Sequence, residues 1–220
     1  MAGRGFILMK YKLFTLLFVA MSVSCQPKVQ TYTIETSLGN IKVRLYENTP
    51  LHKENFEKLV AEQFYDSVLF HRIIPQFMIQ TGNGATKTER STKEKDLGYT
   101  IPAEFVPEKF HKKGALAAAR TGDQVNPEKR SSCSQFYIVQ GRTFSDEELD
   151  AIENQMHLTF SEYQRGVYKT LGGAPFLDQN YTVFGEVVEG LDVVDKIASV
   201  PTGPGDWPLK DIRIIRIVKD

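Results

Sequence analysis

The middle of the chain contains the run Phe70-His71-Arg72-Ile73-Ile74-Pro75-Gln76-Phe77-Met78-Ile79-Gln80-Thr81-Gly82. Its β-branched and aromatic residues predict two short strands, residues 70–74 and 77–80, and Pro75 marks the break between them. His71 is expected to be a buried structural residue beside the sheet. The run therefore places one arginine, Arg72, within a largely apolar strand of a β-rich domain.

The segments on either side of this run have the patterns of further strands and of two helices. Alternating residues 31–36 and 41–46 flank a turn signal and predict a hairpin. Thr49-Pro50 predicts the start of a helix, with Thr49 as its N-cap. Further strands are predicted at residues 115–119, 136–139, 183–188 and 211–218, the last with a bulge at Ile214-Ile215, and a second helix follows Gly190. Many short strands framed by two helices favour a closed antiparallel barrel.

Residues 145–171 interrupt this pattern with two further helices. Residues 145–148 have the spacing of a capping box, residues 159–162 predict a second one, and Gly172-Gly173 ends the second helix. The apolar stripes predicted for the two helices are Leu149, Ile152 and Met156, and then Tyr163, Val167 and Leu171. We therefore predict an inserted helical hairpin that is accessory rather than catalytic.

The first 25 residues have the features of an export leader. Lys10 and Lys12 precede an apolar run, residues 13–19, that is too short to span a bilayer as a stable helix, so cleavage is expected. Ser22-Val23-Ser24-Cys25 resembles a bacterial lipobox, although serine replaces the usual leucine three positions before the cysteine. We expect lipidation at Cys25, a tether over residues 26–30 and a location in the periplasm or cell envelope, held to a membrane by the lipid. The alternative to lipidation is ordinary signal-peptide cleavage near Cys25. Translation starts at either Met1 or Met9.

The central run and three later segments resemble the cyclophilin family of peptidyl-prolyl cis-trans isomerases. Phe70 to Gly82 is similar to the family signature that carries the catalytic arginine. The other matching segments follow in the family's order: Gly114 to Ala119, Ser134 to Ile138, and Phe176 to Asp178 with Tyr181 to Gly185. The resemblance covers almost the whole chain from Thr31 onward. It implies a mainly β fold over residues 31–220, a closed eight-stranded antiparallel barrel capped by two helices.

The resemblance also implies roles for individual residues. Arg72 matches the arginine that hydrogen-bonds the substrate near the prolyl nitrogen, and Gln80 matches the glutamine that steadies this arginine and the substrate carbonyl. The walls of the proline pocket match Phe77, Met78, Tyr137 and Leu177. The groove residues that contact the peptide before the proline match Ala119 and Gln135.

Several positions depart from the family pattern. Arg120 stands where eukaryotic members have an asparagine whose backbone pairs with the peptide, so this backbone contact is expected to survive. Tyr137 replaces a phenylalanine conservatively, and Tyr181 replaces a histidine at the pocket edge. Phe176 replaces a tryptophan whose N–H binds cyclosporin in family members, so weak cyclosporin binding is expected.

The chemistry of proline isomerisation explains why these residue types are needed. Rotation about an X–Pro amide loses the resonance of the nitrogen lone pair, at a cost of about 18–20 kcal/mol. The twisted prolyl nitrogen can accept a hydrogen bond, and a fixed, permanently charged arginine is a suitable donor. No bond is broken, so neither a metal nor another cofactor is expected.

The sequence therefore predicts an isomerase of X–Pro bonds in polypeptides that assists protein folding in the cell envelope. The alternatives are a proline-peptide-binding chaperone module with little turnover and a purely structural envelope lipoprotein. Retention of Arg72 together with Phe77, Met78 and Gln80 favours the enzyme, since a pure binder has no need of the arginine. The 27 basic and 27 acidic residues form no basic stripe, so nucleic-acid binding is not expected. We expect the protein to be a monomer.

Overall fold

The computed structural model describes residues 1, 30–91 and 97–220. Cys25 and most of the predicted leader and tether lie outside the described residues. The strands of the described part are β1 (Thr31–Thr36), β2 (Gly39–Leu45), β3 (Arg72–Ile74), β4 (Met78–Thr81), β5 (Thr100–Ile101), β6 (Ala115–Ala118), β7 (Ser131–Ser132), β8 (Phe136–Val139), β9 (Val183–Glu189) and β10 (Ile214–Lys219). The α-helices are α1 (Pro50–Ala61), α2 (Asp146–Met156), α3 (Glu162–Thr170) and α4 (Leu191–Ala198). None of the helices in residues 30–91 and 97–220 is long and apolar enough to cross a membrane.

Among the described residues, eight strands form one antiparallel sheet in the order β10-β1-β2-β9-β6-β8-β4-β3, and β5 pairs with β7 separately. An isolated bridge, Leu69 with Arg213, joins the two edges of the large sheet, and the Phe70 N–H donates to the Ile212 carbonyl at 2.9 Å. The prediction of a mainly β, eight-stranded antiparallel fold is confirmed. The sequence predicted a closed barrel, but the barrel is not fully closed. The residues that meet at its seam precede β3 and β10, and they form an isolated bridge rather than a strand ladder.

The interior of the curved sheet is filled by the alternate residues of its strands. Ile34 on β1 lies opposite Ile41 on β2, and both are completely buried, as the predicted hairpin requires. Helices α1 and α4 cover this core with apolar side chains that are at most 6% exposed: Phe56, Leu59, Val193, Val194 and Ile197. The two framing helices predicted from the sequence are thus present.

The start of α1 is stabilised differently from the prediction. Thr49 occupies the N-cap position, but its side chain accepts no hydrogen bond from the helix. The carboxylate of Glu104 instead accepts the N–H groups of Leu51 and His52, at 3.1 and 3.0 Å. A carboxylate at a helix N-terminus accepts hydrogen bonds from free N–H groups and is attracted by the positive end of the helix dipole. Glu104, a residue distant in sequence, therefore caps α1.

The bulge predicted in the last strand is confirmed. Glu35 pairs with Arg216 and the next residue, Thr36, pairs with Ile214, so Ile215 is the extra residue of β10. Ile214 is fully buried whereas Ile215 is 55% exposed. The bulge therefore allows two consecutive isoleucines to sit in a strand with one buried face.

The predicted hairpin is present as α2 and α3. Ser145 and Glu148 form the expected capping box. The second box was placed wrongly at Thr159: the N-cap is Ser161, whose partner is Gln164. As a result the buried residue of α3 is Tyr168, and Tyr163, predicted to face inward, is 68% exposed. A small core of its own joins the hairpin to the barrel through Phe110, Phe144, Leu149, Phe160 and Tyr168.

Candidate active site

Strand register places a row of functional side chains on one face of the sheet. Arg72 lies opposite Gln80 in the β3–β4 ladder, and Gln80 lies opposite Tyr137 in the β4–β8 ladder. Directly opposed residues project to the same face, so these three side chains are neighbours. The residues of the adjacent row alternate to the other face, where all are completely buried: Ile73, Ile79, Ile138 and Leu116. The same alternation therefore builds the core and the site.

A cavity of about 230 Å³ lies at this row. Its lining residues are Arg72, Phe77, Met78, Gln80, Ala119, Arg120, Tyr137, Leu177 and Tyr181. All nine carry a role in the sequence-based prediction. The other two predicted residues are adjacent to the cavity: Gln135 accepts a hydrogen bond from Gln80 Nε2 at 3.0 Å, and the Phe176 ring lies 5.4 Å from the Phe77 ring.

One side of the cavity is apolar. Met78 and Tyr137 are buried, at 2% and 4% exposure, and Phe77 and Leu177 are half-buried around them. Tyr181 packs edge-on against Tyr137 with 6.0 Å between ring centroids. An apolar concavity of this kind favours burial of a compact apolar group, such as the ring of a proline.

Arg72 also lines the cavity. Its Nε donates to Asp206 Oδ2 at 3.2 Å, and both side chains are a little less than half exposed. Gln80, predicted to steady Arg72, lies directly across the ladder from it, while its amide donates to Gln135. Within residues 30–91 and 97–220, no cluster of three or more His, Cys, Asp and Glu side chains could hold a metal ion.

The side chain of Arg120 has a structural environment that the sequence did not indicate. It is 4% exposed, and its Nε donates to the Asn180 carbonyl at 2.7 Å. Its guanidinium lies 4.5 Å from the centre of the Tyr181 ring, a cation–π contact. Arg120 therefore holds Tyr181 at the pocket edge, in addition to the backbone role proposed for it.

A second cavity, of about 380 Å³, continues from the first. The two share Gln80, Ala119 and Arg120, and the second adds polar residues including Gln135. The shared residues make one groove, in which the cavity with the apolar wall adjoins a second cavity that Gln135 also lines. Such a groove suits an extended peptide that places one apolar ring in the first cavity.

The back of the apolar pocket is held by a buried chain of hydrogen bonds. The Tyr137 hydroxyl lies 3.0 Å from His111 Nε2, and His111 Nδ1 lies 2.7 Å from Asp178 Oδ1. The other oxygen of Asp178 accepts from the Tyr168 hydroxyl at 2.6 Å. All four residues are at most 4% exposed, and burial raises the pKa of both tyrosines. The chain links the pocket wall to helix α3 of the inserted hairpin.

Sequence reasoning missed this chain because its members are separated by up to 67 positions and His111 was treated as an isolated histidine. One signal was available. Tyrosine in place of phenylalanine at position 137 brings a hydroxyl to a buried wall, and a buried hydroxyl needs a partner. Asp206, the partner of Arg72, had no comparable signal.

Comparisons with known proteins agree with the resemblance seen in the sequence. Residues 31–219 match the sequence model of the family described as "Cyclophilin type peptidyl-prolyl cis-trans isomerase/CLD". A peptidyl-prolyl cis-trans isomerase of Acinetobacter baylyi is 38% identical over 189 residues, which cover 84% of this chain and 82% of that protein. A putative peptidyl-prolyl cis-trans isomerase of Staphylococcus saprophyticus is 35% identical and covers 82% of this chain and 87% of its own.

Solved structures show the same fold. The crystal structure of a cyclophilin-type peptidyl-prolyl cis-trans isomerase from Cryptosporidium parvum superposes with a TM-score of 0.64 at 24% identity, covering 87% of this chain and 97% of that one. A second crystal structure of that protein, obtained in the presence of the dipeptide Ala-Pro, gives 0.63 at 23% identity.

Proposed function

The chain belongs to the cyclophilin-type peptidyl-prolyl cis-trans isomerase family and is a peptidyl-prolyl cis-trans isomerase, and on this basis we propose that the 230 Å³ cavity is its active site. In this proposal the apolar wall of Phe77, Met78, Tyr137 and Leu177 binds the proline ring. Arg72 is the catalytic residue. The observation that carries the proposal is that Arg72 lines a cavity that also has an apolar wall and is large enough for a proline ring.

Catalysis in this site would rest on hydrogen bonding that strengthens as the amide twists. The planar prolyl nitrogen of the ground state is a poor acceptor, because its lone pair is delocalised into the carbonyl. At the twisted geometry the lone pair is localised, and a donor from Arg72 stabilises it. An interaction that is stronger in the transition state than in the bound substrate raises the rate of rotation rather than the affinity.

The peptide that precedes the proline would follow the groove into the second cavity. Ala119, Gln135 and the backbone of Arg120 line this path. The Cryptosporidium protein was crystallised in the presence of Ala-Pro, which is the smallest unit that such a groove would accept. We propose that this chain likewise binds X–Pro segments of polypeptides.

Peptide titration of the isotope-labelled protein tests the location of the site. An Ala-Pro-containing peptide should shift the backbone resonances of Met78, Ala119 and Tyr137. A third cavity, of about 480 Å³ and mainly apolar, lies at Leu38 and Leu209. It provides an internal control, because the resonances of its residues should stay unchanged. Shifts confined to the Leu38–Leu209 cavity would contradict the assignment. Exchange spectroscopy on the same sample should show accelerated cis–trans exchange, whereas binding without exchange would favour the chaperone alternative.

We further propose that the enzyme acts in the cell envelope, as a lipoprotein anchored at Cys25. The support is the sequence pattern of a short basic region, an apolar run and small residues that end at this cysteine. Mass spectrometry of the envelope-derived protein should find Cys25 as the N-terminal residue, carrying fatty acyl groups, and Cys25→Ser should release the protein from membranes. A mature N-terminus elsewhere, or an unacylated one, would overturn the proposal.

A further inference from the structure

The carboxylate of Asp206 engages the guanidinium group on which the proposed mechanism depends. Asp206 Oδ2 accepts from Arg72 Nε at 3.2 Å, across 134 positions of sequence. The hydrogen bond uses Nε, so the two terminal amino groups of Arg72 are left for a substrate in the cavity that this arginine lines. A single acceptor at Nε restrains how the planar guanidinium group is turned.

The segment that carries Asp206 is anchored beside Arg72. The ring of Trp207 lies 6.0 Å from the ring of His71, the neighbour of Arg72 on the chain. The guanidinium of Arg90 lies 5.7 Å from the Trp207 ring and donates to the Pro208 carbonyl at 3.0 Å. The ring contact of Trp207 ties the segment to the start of β3, and the contacts of Arg90 hold the two residues that follow Asp206.

The backbone of the segment is tightly turned at Asp206 itself. Thr202 and Pro208 form an isolated bridge, and the Gly203 N–H donates to the Trp207 carbonyl at 2.8 Å. Asp206 has a φ of 61°, in the left-handed region, which Asp and Asn tolerate better than most residues. A strained conformation of this kind persists where the surrounding structure imposes it.

The stability of the fold does not account for this arrangement. Both partners are more than 40% exposed, and pairs of this type contribute little to the free energy of folding. Restraint of a catalytic donor affects the rate of the reaction instead, because a flexible arginine must lose side-chain freedom each time it reaches the transition-state geometry. The pairing is therefore expected to matter for turnover more than for stability.

We propose that Asp206 is a positioning residue that holds Arg72 in the orientation required for isomerisation. The inference rests on the proposed function, in which Arg72 donates to the twisted prolyl nitrogen. Asp206 does not touch the substrate in this scheme. It acts by fixing the Nε edge of the guanidinium group, so its loss should lower kcat and leave KM almost unchanged.

The test compares two substitutions that both tolerate the left-handed backbone, Asp206→Gly and Asp206→Asn. Asp206→Gly removes the acceptor and should lower kcat about tenfold, less than loss of the whole donor, with KM within about twofold of wild type. Asparagine keeps an acceptor oxygen, so Asp206→Asn should recover most of the lost kcat. Glu35→Ala, which breaks an exposed carboxylate–arginine pair with Arg216 on another strand, should leave kcat unchanged.

A double-mutant cycle separates this inference from the proposed function. In an Arg72→Ala background Asp206→Gly should have no further effect on kcat, because its only route to the substrate is gone. If Arg72→Ala retains wild-type activity, the assignment of Arg72 fails, and the inference fails with it. If Arg72→Ala is impaired but Asp206→Gly is as active as wild type or more active, the inference alone is overturned. A loss of kcat that Asp206→Asn shares in full, or that persists in the Arg72→Ala background, also overturns it.

Discussion

Arg72 is a charged side chain in a short strand whose other residues are apolar, and its neighbours on the same face are Gln80 and Tyr137. A strand position of this kind gives the guanidinium group a rigid base, because β3 is paired with β4 at Arg72 and at the two residues that follow it. In the proposed binding mode, the adjoining apolar wall would exclude water from the other side of the proline ring. Arg72 on β3 and the wall residues Met78 on β4 and Tyr137 on β8 therefore lie on successive paired strands of one sheet.

Arg72→Ala is expected to lower kcat/KM by about 10²–10³-fold while the dissociation constant of a proline peptide changes little. The hydrogen bond that it removes forms mainly in the transition state. Arg72→Lys should recover little, because a flexible ammonium group does not reproduce the planar fork. Peptide titration and exchange kinetics on the folded variants measure the two quantities, with Arg216→Ala as a matched control. Near wild-type exchange by Arg72→Ala would refute this mechanism.

Phe176→Trp is expected to strengthen the weak inhibition by cyclosporin that the sequence predicts. Phe176 is 39% exposed at the pocket edge, so an indole ring has room there, and it adds an N–H donor that phenylalanine lacks. One additional hydrogen bond contributes about 1 kcal/mol, or roughly fivefold in the inhibition constant. Inhibition assays on the two proteins provide the comparison. Equal inhibition constants would count against the position assigned to Phe176.

The residues of the site differ in how well the sequence indicated them. The pocket walls were predictable because they lie within short motifs whose register then places them together. Asp206 and His111 were not, because each meets its partner through tertiary contacts that leave no periodic or spacing signal in the chain. Arg120 was identified for its backbone, whereas its buried side chain and its contact with Tyr181 depend on packing.

Among the helices and strands, the capping box was predicted correctly where the sequence contains one candidate for it. The capping box of α2 involves residues three apart, and its prediction is confirmed. Near the start of α3, Thr159 and Ser161 are each followed three residues later by Glu or Gln, so both have the spacing of a capping box. The prediction of Thr159 as the N-cap is wrong, because the N-cap is Ser161. The choice between them is made by packing, since starting at Ser161 places Tyr168 in the buried position where it reaches Asp178. The cap of α1 by Glu104 could not be predicted for the same reason.

Tyr168→Phe is expected to lower the free energy of unfolding by about 1–3 kcal/mol, because it leaves a buried oxygen of Asp178 without its donor. Since Asp178 also holds His111 behind Tyr137, KM for a proline peptide should rise by a few-fold, with a smaller effect on kcat. Tyr163→Phe is the matched control, for Tyr163 lies on the same helix and is 68% exposed. Denaturant unfolding and steady-state kinetics measure both. Identical behaviour of the two variants would show that the hairpin does not support the pocket.

In the molecule as a whole, one curved sheet both encloses the hydrophobic core and carries the residues of the candidate site. Its interior is filled by aliphatic and aromatic residues, and a row of alternate positions on β3, β4 and β8 faces the groove. The two edges of the sheet meet at Leu69 and Arg213, next to the segment that leads into β3. The seam therefore lies next to the strand that carries Arg72, and the loop that carries Asp206 connects α4 to β10.

Acidification is expected to destabilise the fold through His71. Burial lowers the pKa of His71 to about 4 from an ordinary value of 6.5, so the folded protein keeps this imidazole neutral. Between about pH 6.5 and pH 4 the unfolded chain takes up a proton that the folded chain does not, so the free energy of unfolding falls as the pH falls. The contribution of this group reaches about 3 kcal/mol at the acidic end of the window. Burial also lowers the pKa of His52, which adds to the loss in the same direction.

Denaturant unfolding at pH 7.5, 6, 5 and 4.5 isolates the share of His71 when the wild type is compared with His71→Gln. The variant carries no titratable group at this position, so its free energy of unfolding should fall less steeply between pH 6.5 and pH 4. His157→Asn is the control, because His157 is exposed at the end of α2 in a left-handed conformation that asparagine tolerates. It should follow the wild-type curve throughout. Parallel curves for the wild type and His71→Gln would mean that His71 protonates equally in both states, and hence that the ring is not held neutral beneath Trp207.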